Sequence, residues 1–448
     1  TFTILNCVNN GEVKFGGSNL TETATNAIRI GGISGYTQAG LTGTTNNGKI
    51  TIYGTRNANG TIGTKDNDYK NGSYVIAGLV GYKTEGKITD SQNHGDIEIA
   101  GTFKELHATN KTQWKIGGIA CYLSTDPVGT CVADGEIIIS GTIEGEADIA
   151  GMVAFHYNSI SAETSATNIT IKKGAVLSGG AIIGGVVSWT FNTLSKLTYT
   201  GTITIEEGAT IGKKCYIGGC VGAHVGTTDK AKTINCTNNG TITGTVDVSA
   251  ASYNVAVAGF LGDVRASVGD FDYDVVLTNC KNTAPITLSP KSGTSSTYGM
   301  TVCGVGGILA YVRSAKSITL NNCDNSGAIT VAADYIQSET GLKATPTAVG
   351  GIVGLGTGAG SNKLALSGVD FTLIDCDNAG TIYNCMVNAS TPDQGANKVY
   401  TGGLAGALMG SSAKYATIKN CTNTGDVFTY DICSGDVPKP AVVSKAPG

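Results

Sequence analysis

The side chains of this 448-residue sequence that could do chemistry are few and scattered. His94, His107, His156 and His224 each stand alone in the sequence. Acid–base chemistry on polysaccharides needs two carboxylates, or a basic group beside acidic or calcium-binding neighbours, on one face. Carboxylates such as Asp96, Glu136 and Asp426 instead fall singly among turn residues, so no catalytic residue is assigned and no cofactor is expected. The one acidic cluster is Asp263, Asp270, Asp272 and Asp274 in DVRASVGDFDYD. Calcium takes several oxygen ligands, but the glycine and distal glutamate of an EF-hand loop are missing here. The cluster therefore reads as a solvated inserted loop, and no metal site is expected.

Cysteine placement says more than the count of 13. Cys7, Cys131, Cys236, Cys280, Cys323, Cys376 and Cys421 share one motif position that elsewhere holds Thr or Ser. A position that accepts all three wants a small buried side chain, not a disulfide. Tetrahedral metal binding would need several thiolates or histidines converging on one ion, and one thiol per repeat does not supply them. Cys121, Cys215, Cys220, Cys303, Cys385 and Cys433 lie outside that position, and their pairing is left open.

The elements that carry these residues are strands. Glycine numbers 65, without a collagen-like period, while only 14% of residues are charged and 6% aromatic. Such glycine content points to disorder or to a repeat architecture, and 41% hydrophobic residues argue for a buried core. Short runs of Ile, Val and Thr broken by Gly and Asn are strand and turn signals throughout. The net charge of −4 and the absence of a basic block argue against nucleic acid as a partner. No apolar run is long enough to span a bilayer, so no transmembrane segment is expected in this chain.

Two motifs recur. The first is a β-branched residue, then small-Gly-apolar-apolar-small-aromatic: IGGISGY from Ile30, IAGLVGY from Ile76, IGGIACY from Ile116, IAGMVAF from Ile149 and IGGVVSW from Ile183. Copies follow at Ile217, Val257, Val305, Val349 and Thr401, and the second small residue is Gly in every copy. The other motif is Cys-x-Asn-x-Gly-x-Ile, clearest at Cys7, Cys236, Cys323, Cys376 and Cys421, with variants ending at Ile50 and starting at Ser91, Cys131 and Cys280. In mid-chain its counterparts are read as TIKKGAV from Thr170 and TIEEGAT from Thr204.

First-motif copies are spaced from 33 residues (Gly117 to Ala150) to 52 (Gly350 to Gly402). A coil of three short strands uses roughly 20–35 residues, so one repeat is one coil and the longer repeats carry inserted loops. The expected fold is all-β, a parallel β-helix (β-solenoid) of ten to eleven coils over residues 1–436. The Pro-containing segment 437–448 reads as a linker or tail. Thr1 to Val13 matches the second motif without the first, which predicts a start in mid-repeat with natural sequence before it. In stacked coils each residue lies against its equivalents, which gives a row of apolar side chains and an axial ladder of Asn9, Asn46, Asn93, Asn238, Asn282, Asn325, Asn378 and Asn423. Asn at these turns also suits a left-handed backbone.

The GGIVG-type segment followed by I-x-x-C-x-N-x-G-x-I resembles the tandem GLUG motif of bacterial surface proteins and the β-helical surface proteins of Bacteroidetes. The resemblance runs from Thr1 to about Asp436, with a departure between about Asn168 and Ile211 where Cys and Asn are lost. It implies a cell-surface or secreted location and a non-enzymatic role as an adhesin or stalk. Such a protein would bind a glycan or a host or partner protein surface. Its candidate ligand-binding residues are the aromatics that end the early first-motif copies, Tyr36, Tyr82, Tyr122, Phe155 and Trp189. Stacked along one face they would make an apolar stripe for sugar rings or protein, or else would cover a corner beneath the inserted loops. Two other classes remain: a polysaccharide lyase or glycoside hydrolase built on the same coil, and a filament subunit. Oligomeric state is not legible.

Overall fold

The computed structural model describes residues 2–20, 28–56, 74–103, 113–123, 128–156, 160–161, 163–226, 231–248, 252–266, 273–292, 299–313, 315–334, 347–356, 369–387, 399–408 and 416–433. Asp270, Asp272, His107 and the segment 437–448 lie outside these residues.

Among the described residues every regular element is a strand, and every strand pairing is parallel. One turn of the chain shows the plan. Gly40–Thr42, Thr45–Asn46, Ile50–Arg56, Tyr74–Ala77 and Val80–Lys83 each join a different sheet. Repetition of this path stacks five sheets of 11, 11, 14, 10 and 10 strands in the order the chain visits them. The structure is a parallel β-solenoid. Its coil has five short segments, not the expected three, because the chain bends wherever Gly or a left-handed residue interrupts a β-branched run.

One motif copy occupies one coil. Ile30, Ile76, Ile116, Ile149 and Ile183 pair in unbroken register, and the row continues through Ile217, Val257, Val305, Val349 and Thr401. Stacking at the parallel-strand spacing makes the 11 coils of the first sheet about 50 Å tall.

The asparagine ladder forms in two runs. Nδ2 of Asn9 donates to Oδ1 of Asn46 at 2.7 Å, and Asn46 donates to Asn93 at 2.8 Å. The same 2.7 Å bond links Asn238 to Asn282, Asn325, Asn378 and Asn423 in succession. The second amide proton goes to the carbonyl two residues on, as from Asn282 to Ala284 and from Asn325 to Gly327, both at 3.0 Å. The left-handed backbone expected at these asparagines lies elsewhere. Positive φ falls on the residue just before the cysteine position: Asn6, Asp90, Thr130, Lys196, Asn235, Asn279, Asn322, Asp375 and Asn420. That residue turns the corner between the first and second sheets, which leaves the ladder asparagine extended and able to aim its amide along the axis.

The two motifs meet across the interior, and this explains the invariant glycine. A Cβ on Gly307 would sit 2.1 Å from the carbonyl oxygen of Gly351 and 2.4 Å from Cγ of Asn325. Gly32, Gly78, Gly219, Gly259, Gly351 and Gly403 meet a ladder asparagine at 2.2–2.5 Å in the same way. The row needs glycine for close approach, not for positive φ.

The mid-chain copies are also reassigned. Thr164–Ser165 and Thr198–Tyr199 pair with Val132–Ala133 and Thr237–Asn238, so the second-motif positions there belong to Glu163–Ile169 and Leu197–Ile203. TIKKGAV and TIEEGAT belong to the third sheet, where the amide of Ala175 donates to the Lys172 carbonyl and that of Ala209 to the Glu206 carbonyl. These turns, at Gly174 (φ 81°) and Gly208 (φ 89°), split the third-sheet strand and raise that sheet's strand count. The cysteine position is thus broader than Cys, Thr and Ser: it also holds Glu163 and Leu197.

The buried cysteine row runs Cys236, Cys280, Cys323, Cys376, and each thiol donates to the carbonyl two residues before it at 3.3–3.6 Å. Cys121, Cys215, Cys220 and Cys303 are buried, and Cys385 is disulfide-bonded. Glu163 is fully buried and accepts the Cys131 amide at 3.1 Å. Burial pushes its carboxyl up to about 8, which favours the neutral form. His156 and His224 fall in one buried row of the fifth sheet with Thr190 between them. Burial pushes His224 down to about 4.

Candidate functional site

Sequence alone does not say which face of the first motif points inward, because the motif is apolar at both parities. The structure buries both. Tyr74, Ile76, Leu79 and Val80 enter the main core, while Val75 and Ala77 enter a separate cluster with Cys121, Ala150 and Ala154. The chain reverses at the Gly-Gly pair, so the fifth-sheet strand returns over the fourth. A Cβ on Gly35 would lie 2.5 Å from the Arg29 carbonyl oxygen. The Cys121 thiol donates to the Lys115 carbonyl at 3.0 Å, and Ser188 Oγ donates to the Ile182 carbonyl at 2.8 Å. Small residues at this position let two sheet faces turned away from the main core close into a wedge.

The aromatic row lines the fifth-sheet side of that wedge. Tyr36, Tyr82, Tyr122, Phe155 and Trp189 pair in consecutive register, followed by Ala223, Asp263, Tyr311, Leu355 and Ala407. Tyr36 and Tyr82 stack with centroids 5.8 Å apart, and Phe155 and Trp189 at 6.0 Å. Ring faces therefore meet along the solenoid axis. Tyr36 is 44% exposed, whereas Phe155 and Tyr311 are buried. The side chain of Tyr122 lies outside the described residues.

Facing the aromatics, the fourth sheet supplies cations. The Arg29 guanidinium sits 4.2 Å from the Tyr82 ring centroid and 5.1 Å from that of Tyr36. Lys115 Nζ is 4.3 Å from the Phe155 centroid and pairs with Asp148 at 2.8 Å, with both side chains buried. Such contacts attract a cation to the ring face, more strongly when dry. Glu146 pairs with Lys214 at 2.5 Å.

Further along the axis Asp263 is fully buried, with Arg313 Nη2 at 3.3 Å and Arg265 Nε at 3.8 Å from its Oδ2. Arg265 lies 3.9 Å over Trp189, and Arg313 donates to the Tyr216 hydroxyl. Asp263 is thus not part of a solvated loop, as the sequence suggested, but the anchor of a buried ionic cluster. Asp274 is likewise in a strand, where it accepts Ser317 Oγ at 2.6 Å.

Burial raises the Asp148 carboxyl, against the pull of Lys115. Burial acts on Glu146 in the same sense, but Lys214 and Arg265 outweigh it and hold that carboxyl below its ordinary range. Lys214 is lowered by burial despite Glu146. Burial opposes the charge of Arg313, and Asp263 and Tyr216 overturn that effect and raise it. Among the described residues, five cations (Arg29, Lys115, Lys214, Arg265, Arg313) and three carboxylates (Glu146, Asp148, Asp263) therefore line the wedge, most of them already paired. The arrangement can recognise charge and aromatic edges. Among the described residues, no three His, Cys, Asp or Glu side chains are arranged to hold a metal ion.

Sequence reasoning found the aromatics and missed their cationic partners. The available signal was a charge one residue before the β-branched start of the motif, as in Arg29 of IRIGG, Lys115 of WKIGG and Asp148 of ADIAG. Fold and site together define a parallel β-solenoid with a charged, aromatic wedge along one edge. No family model, curated protein or solved structure matches this chain.

Proposed function

We propose that this chain is a non-enzymatic solenoid of the bacterial cell surface or secreted space, acting as an adhesin or stalk that engages a glycan or a partner protein. One observation carries the reading. The repeated Asn, Gly and Cys positions are used up in holding the coils together, whereas the aromatic row and its cations vary from coil to coil, and part of the row keeps its surface in solvent. Among the described aromatic side chains of the row, Tyr36 is exposed and Tyr82 and Trp189 are half-buried. The disulfide at Cys385 suits an oxidising, exported location, and the likeness to GLUG repeats supports the same one. A glycan array run beside a polysaccharide-degradation assay tests the proposal. Retention of a glycan with its chain length unchanged is expected, and release of shortened oligosaccharides would overturn the non-enzymatic reading.

A second reading is favoured by Glu146, Asp148 and Asp263 lying along one wedge with Lys214 and Arg265, the mix of carboxylate and base that a polysaccharide-active enzyme uses. Its signature would be depolymerisation that Glu146→Gln abolishes.

A further inference from the structure

We propose that Arg265 and Arg313, with Trp189 beside them, form a subsite for an oxyanion, the carboxylate or sulfate of an acidic glycan. The inference rests on the glycan-binding reading of the same wedge and deepens it. Among the described residues, two guanidinium groups converge on the one carboxylate of Asp263, which leaves a net positive charge within this group of side chains. Their hydrogen bonding is incomplete. Arg265 Nη2, Arg313 Nε and the Trp189 indole N–H are buried donors without a partner, against one unpartnered acceptor in the cluster, Asp263 Oδ1. Buried donors are nearly always satisfied, so each one left open is a position that favours an incoming acceptor. Three such donors around one excess positive charge match the acceptor-rich, anionic head of a carboxylate or sulfate, for which guanidinium is the best-suited side chain.

The cluster is reachable. The Arg313 side chain is 33% exposed and that of Arg265 14%, while Asp263 and the three open donor atoms lie beneath that surface, so an oxyanion meets the outer guanidinium edges first and reaches those donors as the two side chains turn toward it. A ligand oxyanion arriving from the mouth would meet the two guanidinium groups before the carboxylate. Trp189 is held between Phe155 along the axis and Arg265 over its face, so only its edge is left to touch a sugar. The ligand is therefore anchored by its charged group and not by stacking. The neighbouring Glu146–Lys214 and Lys115–Asp148 pairs add no net charge, and Glu146, held mainly by Lys214, also attracts Arg265.

Titration of the full chain with an oligogalacturonate, a heparin-type sulfated oligosaccharide, cellopentaose and inorganic sulfate tests this, read by Trp189 fluorescence and by calorimetry. At least one anionic oligosaccharide is expected to bind, with affinity that falls as salt rises, while cellopentaose leaves the Trp189 signal unchanged. Whichever anion binds identifies the oxyanion as carboxylate or sulfate. Arg265→Gln and Arg313→Gln should each weaken binding at least about tenfold, and Trp189→Phe should remove the fluorescence change. Asp263→Asn removes the competing carboxylate and should tighten binding in protein whose melting shows it folded, an effect that general damage would not produce. Absence of binding by both anionic oligosaccharides up to about 1 mM overturns the proposal. So does binding that both arginine variants leave intact. If neutral glycans are retained on the array and the arginine variants change nothing, the adhesin reading survives and this inference fails. If an arginine-dependent anionic glycan is cut, the inference survives and the non-enzymatic reading fails.

Discussion

At the scale of single residues, two glycines show why one residue type recurs for unrelated reasons. Gly307 is closed in by the Gly351 carbonyl and by Asn325, so Gly307→Ala forces one coil away from the next and should cost about 3 kcal/mol in denaturant unfolding. Gly174 has nothing within 4 Å of its missing Cβ but holds φ at 81°, so Gly174→Ala should cost only about 1 kcal/mol and Gly174→Asn less. Two buried ionisable groups give opposite pH arms. Glu163 has its carboxyl raised in the folded state, so folding takes up a proton. That contribution is complete below the ordinary carboxyl range and is lost as pH rises to about 8. The loss is roughly 1.4 kcal/mol per pH unit over that window, and Glu163→Gln should remove this decline between the ordinary carboxyl range and about pH 8. His224 is lowered to about 4, so its contribution is complete above the ordinary imidazole range and is lost as pH falls toward 4. His224→Gln should flatten the acid side. Melting temperatures from pH 4 to 9 for the three proteins read both arms.

At the scale of elements, the ladders are the units of cohesion. Asn282 donates to Asn325, accepts from Asn238 and clamps its own turn at Ala284, all in the buried interior. Asn282→Ala leaves neighbouring polar groups unsatisfied and should cost about 3 kcal/mol, more than the same change at Asn9, which has a ladder neighbour on one side only among the described residues. The thiol row differs, since its sulfur hydrogen bonds are long and its position elsewhere holds Thr44, Ser91 and Leu197. Cys323→Ser should therefore cost no more than about 1 kcal/mol. Burial of the row also sets reactivity. In the native state an aromatic disulfide reagent should label the exposed Cys7 first and the half-buried Cys421 more slowly. The buried Cys236, Cys280, Cys323 and Cys376 should react only after denaturant is added.

At the scale of the whole molecule, each coil is supported only by the coils on either side, so stability is a sum of coil and nearest-neighbour terms. Amide exchange should accordingly be slowest in the central coils, around Ile183 to Val257, and fastest toward the described ends, where Phe2, Leu5, Val8 and Ile418 are exposed. Uniform exchange along the chain would contradict this one-dimensional picture.

The solenoid, its period and its Asn, Gly and thiol rows were legible in the sequence because stacking places like on like, so a repeat in sequence is a row in space. The mid-chain copies were misplaced because TIKKGAV and TIEEGAT imitate the second motif's glycine and strand character, and only pairing register separates a third-sheet turn from a second-sheet one. Five segments per coil, both faces of the first motif buried, and the wedge itself were decided by the tertiary structure alone. The chain reverses at Gly-Gly by close packing that no single-residue preference encodes. Asp263, Arg265 and Arg313 lie on different coils or in a segment that reads as a loop, and only parallel stacking brings their charges within reach of one another.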